Sequence, residues 1–150
     1  MSDLRDLYQE VILDHSRHPR HFHALDDADR MADGYNPLCG DKITVFLRTK
    51  DGRIEEAAFQ GSGCAISMAA ASMMTQAIRG ATTEEFEQKF RAFHDMVTGK
   101  VDDGAAAERL GKLIIFAGVS KFPVRVKCAT LAWHTARSAM EQRPEPVSTE

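Results

Sequence analysis

Residues 36–60 read NPLCGDKITVFLRTKDGRIEEAAFQ, and the fold follows from how this stretch is parsed. From Lys42 the residues alternate. Ile43, Val45 and Leu47 share one face and Lys42, Thr44 and Arg48 the other, which is the period of a half-buried β-strand. Asp51-Gly52 is a hairpin signal, and residues 54–60 return as the partner strand with Ala57 and Phe59 inward. A strict two-residue turn would set Leu47 opposite Glu56 and bury a carboxylate beside it. One more loop residue pairs Leu47 with Ala57 and Val45 with Phe59. The sequence therefore predicts a three-residue loop with Gly52 in the left-handed region.

Upstream of the hairpin, Leu4, Leu7, Tyr8, Val11 and Ile12 make one stripe of an amphipathic helix that Pro19 ends. His15, His18, His21 and His23 then crowd together with Arg17 and Arg20. No cysteine or carboxylate completes a zinc spacing with them, so they read as a basic helix end and loop. Residues 26–33 are polar and lead to a short first strand at Gly34-Tyr35. Downstream, Ile66, Ala69, Ala70, Met73, Ala77 and Ile78 keep helical spacing up to Gly80. Thr82 and Glu85 form a capping box for a third helix through about Met96. A loop over 99–104, a fourth helical stretch over 105–117 and a break at Lys121-Phe122-Pro123 come next. The last helix carries Ala129, Ala132, Trp133, Ala136 and Met140. The pattern is α+β: a small three-stranded antiparallel sheet with four to five helices packed mainly on one face. Residues 1–143 form one domain and 144–150 a flexible tail.

The chain has 150 residues, 43% hydrophobic and 27% charged, with a net charge of −3. That balance points to neither a nucleic acid nor an anionic membrane as partner. No apolar run reaches the roughly 20 residues that span a bilayer. Met1-Ser2-Asp3-Leu4-Arg5-Asp6 lacks the shape of a signal peptide. Three cysteines, an odd number without secretory context, imply reduced thiols and a cytoplasmic setting.

Each cysteine stands at a junction. Cys39 and Asp41 flank Gly40 in a Pro/Gly loop, Cys64 follows a glycine loop at a helix mouth, and Cys128 follows Pro123 at the start of another helix. Three thiolates and a carboxylate make a complete shell for zinc. The spacing, 25 positions from Cys39 to Cys64 and 64 from Cys64 to Cys128, matches no finger or ribbon, so such a site forms only when the domain folds. Cys64 and Cys128 at helix N-termini would gain thiolate character. Arg125 and Lys127, at alternate positions of an extended lead-in, would both face the site. A cysteine–histidine dyad with His134 is disfavoured, because six helical residues turn it away from Cys128.

With these residues in hand, the chain resembles the SufU branch of the IscU/NifU-like iron–sulfur assembly proteins. The likeness rests on Leu7-Tyr8-Gln9-Glu10-Val11-Ile12-Leu13-Asp14-His15, Asn36-Pro37-Leu38-Cys39-Gly40-Asp41, Gly63-Cys64-Ala65-Ile66-Ser67 and Arg125-Val126-Lys127-Cys128-Ala129-Thr130-Leu131. The resemblance implies that Cys39, Asp41, Cys64 and Cys128 are zinc ligands. It also implies a SufS-type cysteine desulfurase as partner, with cluster assembly proteins downstream. IscU-type proteins carry a histidine directly before the third cysteine, where this chain has Lys127, and a shorter span before it. The extra residues fall within about 94–115. Both departures favour a zinc-dependent sulfurtransferase that accepts persulfide sulfur on Cys39, with Arg125 and Lys127 stabilising negative sulfur. Leu38, Ile66, Phe122 and Val124 would rim the docking face. The alternative is a scaffold that binds iron and a transient iron–sulfur cluster at the same residues.

Overall fold

A computed structural model describes residues 3–100 and 108–149 of the chain. Helix α1 (Asp3–Arg17) leads into a meander of β1 (Arg30–Asn36), β2 (Asp41–Lys50) and β3 (Arg53–Ser62). Helices α2 (Ala65–Ile78) and α3 (Thr83–Val97) come next, then a 3-10 helix (Gly111–Lys121). The long α4 (Pro123–Glu141) and a two-residue strand β4 (Val147–Ser148) complete the order.

The sheet differs from the three antiparallel strands expected. It has four strands in the order β3-β2-β1-β4, and β4 runs parallel to β1, with Gly34 opposite Val147 and Tyr35 opposite Ser148. The fourth strand comes from the segment expected to be a loose tail. Without it β1 would present an unpaired edge, and the Thr149 N–H extends the pairing by donating to the Tyr35 carbonyl at 3.1 Å.

In the β2–β3 hairpin, Val45 faces Phe59 and Leu47 faces Ala57, as the buried pattern required. The extra residue lies elsewhere than predicted. Lys50 pairs with Arg53 across a two-residue turn in which Asp51 and Gly52 have φ of 54° and 76°. The register shifts instead beyond Arg48 and Thr49, where Glu55 is left over as a β-bulge. A bulge moves every later residue by one position, as a longer loop would. It also lets the tight Asp-Gly turn keep the twist that suits a hairpin.

Ile43, Val45, Leu47, Ala57 and Phe59 are fully buried under α2 and α4. Helix α4 sits directly on β1, because a Cβ at Gly34 would lie 2.0 Å from Thr135 Oγ1. Trp133 stacks between Phe93 and Phe86, with centroids at 5.0 and 6.2 Å, tying α4 to α3. The predicted capping box is present, with Thr82 Oγ1 accepting from the Glu85 N–H at 3.1 Å and Glu85 Oε1 from the Thr82 N–H at 2.8 Å. The fourth helical stretch is helical over all of its described part, with 108–110 α-helical and running into a 3-10 helix over Gly111–Lys121 that extends past the expected end at 117, while 101–107 lie outside the described residues. Its buried residues explain the type. Leu110, Leu113, Phe116 and Val119 recur every third position, the period at which 3-10 side chains eclipse. Among the described residues, no helix is long and apolar enough to cross a membrane.

Candidate metal centre

The β1–β2 hairpin carries the first thiol. Asn36 pairs with Asp41 at its base, and the Cys39 N–H donates to the Asn36 carbonyl at 3.3 Å across the intervening turn. Gly40, with φ of 71°, completes that turn. Cys39 is exposed, whereas Asp41 at the first position of β2 is only 2% exposed. The boundary between turn and strand separates them: Cys39 belongs to the turn at the rim, and Asp41 opens β2 with its carboxylate inside.

Two donors hold the Asp41 carboxylate. Oδ1 accepts the backbone N–H of Cys64 at 2.9 Å and Oδ2 accepts Asn36 Nδ2 at 3.0 Å. Gly63 makes the first of these possible. A Cβ on Gly63 would lie 2.6 Å from Asp41 Oδ1, so a larger residue would push the β3–α2 junction off the acid. Cys64 is the N-cap of α2, its Sγ accepting from the Ser67 N–H at 3.4 Å. That places a sulfur at the positive end of the helix, as the sequence suggested.

Cys128, from α4, is 2% exposed. Its sulfur lies 3.3 Å from Cys39 Sγ and accepts from Asn36 Nδ2 at 3.4 Å. Burial foremost, then the neighbouring Cys39 and Cys64 thiols and the Asp41 charge, push the Cys128 thiol well above its ordinary pKa. A coordinated divalent ion would invert that shift for Cys128. Cys39, Asp41 and Cys128 each bring a ligand atom within 4.8 Å of the other two. Cys64 stands at the edge of this triangle: its backbone N–H donates to Asp41, and its sulfur, which accepts the Ser67 N–H, also neighbours the Cys128 thiol. Two sulfurs and a carboxylate oxygen, with a third sulfur adjoining, suit zinc or ferrous iron.

The helix around Cys128 corrects two expectations. Pro123 takes the first helical position, where its missing N–H costs nothing, so α4 begins five residues before Cys128 rather than at it. Cys128 is therefore inside the helix and has no claim on free N–H groups at its mouth. The lead-in is helical rather than extended, and residues two apart on a helix do not share a face. Arg125 lies one turn before Cys128 and lines the groove over the thiols, its guanidinium 5.1 Å from the Phe122 ring centroid. Lys127 is half-buried and does not line that groove.

The histidines sit elsewhere. His15 is buried, with Nδ1 2.7 Å from Ser72 Oγ, which also accepts the Arg20 N–H. His134 packs against Phe90 and His94, at centroid distances of 5.2 and 5.8 Å. Among the described residues, no other group of three Cys, His, Asp or Glu side chains is gathered as Cys39, Asp41 and Cys128 are.

Sequence reasoning passed over Asn36 as a site residue. It is fully buried and contacts both Asp41 and Cys128. The available signal was its place just before Pro37, two residues ahead of the Leu38-Cys39 turn.

An open groove of about 710 Å³ runs over Cys39, Cys64 and Cys128, between α1 and the start of α4. Leu38, Phe122 and Val124 stand 62%, 53% and 53% exposed, and Leu13 of α1 adds a fourth apolar side chain. Ile66 is half-buried in the groove wall.

Residues 7–142 match the family model described as the NifU-like N terminal domain. A relative from Bacillus subtilis, named zinc-dependent sulfurtransferase SufU, is 45% identical over 132 residues, covering 88% of each chain. A Streptococcus pyogenes relative, named iron-sulfur cluster assembly scaffold protein IscU, is 40% identical and covers 95% of this chain and 87% of its own. A crystal structure from Fervidobacterium islandicum, described as a candidate iron–sulfur cluster assembly scaffold for the SUF system, superposes with a TM-score of 0.82. It is 32% identical and covers 91% of this chain and 98% of its own.

Proposed function

We propose that this chain, which belongs to the NifU-like N-terminal family shared by the SufU and IscU proteins, serves iron–sulfur cluster assembly as a zinc-dependent sulfur acceptor. The observation that carries the reading is the asymmetry of the cluster. One thiol, Cys39, is exposed on a turn, while its partners Asp41 and Cys128 are buried beside it.

Cys39, Asp41 and Cys128, with Cys64 at their edge, would hold the ion. Bound zinc would keep the sulfurs as thiolates at neutral pH, the form that attacks sulfur. The donor of sulfur is a persulfidated cysteine desulfurase of the SufS type, whose cysteine loop enters the groove between Leu13, Phe122 and Val124, with Leu38 exposed beside Cys39. The Cys39 thiolate attacks the terminal sulfur of the persulfide. A bond forms from Cys39 Sγ to that sulfur, the partner's own S–S bond breaks, and the partner departs as a thiolate. No external oxidant or reductant is consumed. Arg125, on the groove wall, lies where it can balance the charge of the persulfide. Lys127 can contribute only from the flank of α4.

The test is transfer from a persulfidated desulfurase, read as the gain of one sulfur in the intact mass of this chain. Cys39→Ala should abolish the gain, and undiminished transfer would remove Cys39 from the mechanism. The second reading, a scaffold that builds a cluster on the same residues, is favoured by the relatives named IscU. A brown protein with acid-labile sulfide would establish it, whereas a colourless protein with about one zinc per chain supports sulfur transfer.

A further inference from the structure

We infer that Asn36 is the positioning residue of the centre, and that its amide sets how tightly the thiol–carboxylate cluster holds a divalent cation. The inference rests on the metal-binding reading above. Asn36 ends β1 and is fully buried. Its Nδ2 donates to two candidate ligands at once, to Asp41 Oδ2 at 3.0 Å and to Cys128 Sγ at 3.4 Å. Its Oδ1 is buried with no hydrogen-bond partner among the described residues. Rotating the amide would aim that oxygen at a carboxylate and a sulfur, both acceptors, so the nitrogen end stays on the cluster although a buried acceptor is left unpaired.

Asp41 and Cys128 lie on separate elements, a strand and a helix, and the Asn36 amide bridges them. One consequence is orientation. With Oδ2 on Asn36 and Oδ1 on the Cys64 N–H, the carboxylate plane is fixed at two points, and each oxygen keeps a lone pair for a cation. The other is spacing. The same amide, bonded to Cys128 Sγ, holds the helix-borne sulfur beside the strand-borne carboxylate. Without the amide the carboxylate turns about its remaining bond, and sulfur and acid lose the donor they share.

The experiment is a double-mutant cycle on the full chain, reading Zn²⁺ affinity by competition with a chromophoric chelator. Asn36→Ala should weaken Zn²⁺ binding by roughly 10–100-fold, the usual cost of removing a partner of a metal ligand. In an Asp41→Ala background the same change should cost only about a few-fold, because just the Cys128 contact remains to be lost. Cobalt substitution adds a readout that a merely structural defect would not move. The visible bands of Co²⁺ in Asn36→Ala should shift toward those of Asp41→Ala. If Asn36→Ala does not fold, Asn36→Thr, β-branched to suit a strand end and too short to span both partners, carries the same expectations. Unchanged affinity, an equal loss in both backgrounds, or an unshifted Co²⁺ spectrum would overturn the inference while leaving the metal reading in place. A parent protein that binds no zinc would overturn both.

Discussion

Gly63→Ala tests the centre's construction with one methyl group. Gly63 does not occupy the left-handed region, so alanine fits the backbone, and the whole effect comes from contact. The new Cβ would meet Asp41 Oδ1 at 2.6 Å, Cγ at 3.1 Å and Cβ at 3.2 Å. The carboxylate cannot simply slide, since Oδ2 is held by Asn36 and the side chain is buried. Relief requires breaking the Cys64 N–H···Oδ1 bond. A hydrogen bond to a charged group is worth about 1.5–3 kcal/mol. Replacing glycine restricts the unfolded chain and returns about 0.4–1 kcal/mol. The net loss is therefore about 0.5–2.6 kcal/mol, or a fall of roughly 1–10 °C in Tm for a domain of this size. Thermal unfolding of the metal-free protein reads it directly. The decisive comparison is the same substitution in Asp41→Ala, where the obstructing carboxylate is gone. There Gly63→Ala should cost much less, because only the 3.2 Å contact with the Cβ of residue 41 remains. Equal destabilisation in both backgrounds would show that the junction, not the acid, resents the methyl group.

The pH dependence of stability derives from three imidazoles. Burial above all holds His15, His21 and His134 below the ordinary value of 6.5. The unfolded chain then binds more protons than the folded one, so stability is full above about pH 6.5 and is lost as pH falls through that value toward the folded pKa values. Urea midpoints should drop on this acid side, and His134→Phe should flatten the slope; a midpoint that rises on acidification would refute the assignment. Chelation should leave the domain folded, because Phe86, Phe93, Phe116 and Trp133 form a core from side chains that do not line the groove. Amide exchange should quicken at 37–40 and 61–64 alone, and collapse of the far-UV signal would mark the ion as the fold's main support.

Where one face of an element is buried, the sequence was readable. Val45 opposite Phe59 and Leu47 opposite Ala57 came from the cost of burying Glu56, and that cost is the same however the extra residue is accommodated. A bulge at Glu55 and a longer loop are therefore equivalent to the pattern, and only the conformations of Asp51 and Gly52 separate them. Pro123 is ambiguous in the same way, since a proline both terminates a preceding helical turn and suits the first position of a new helix. The alternate placing of Arg125 and Lys127 suited an extended lead-in, yet Pro123 opens α4 there and the helix packs on the sheet. Strand β4 has two residues and so no period at all. Asn36 escaped because a polar residue before proline reads as a turn former, and its role appears only when Cys128 arrives from 92 positions away.

On the proposed reading, the distribution of constraint across the four candidate ligands favours Cys39 as the sulfur acceptor. Cys64 is tied to α2 as its N-cap, Cys128 is enclosed in α4, and Asp41 is pinned by two donors. Cys39 is tethered only by a turn whose far residue, Gly40, meets no other group within 4 Å of where a side chain would begin. Moving any of the other three toward an incoming sulfur would break a strand pair, a cap or a helix turn. Moving Cys39 would break only the 3.3 Å hydrogen bond at the loop base and the 3.3 Å contact of its sulfur with Cys128 Sγ, neither of which belongs to a strand or a helix ladder. Its sulfur can therefore travel out to a partner and return to the cluster while the sheet and helices stay in place. Proline at position 40, locking φ near −65° where the turn has +71°, would set that travel against the fold.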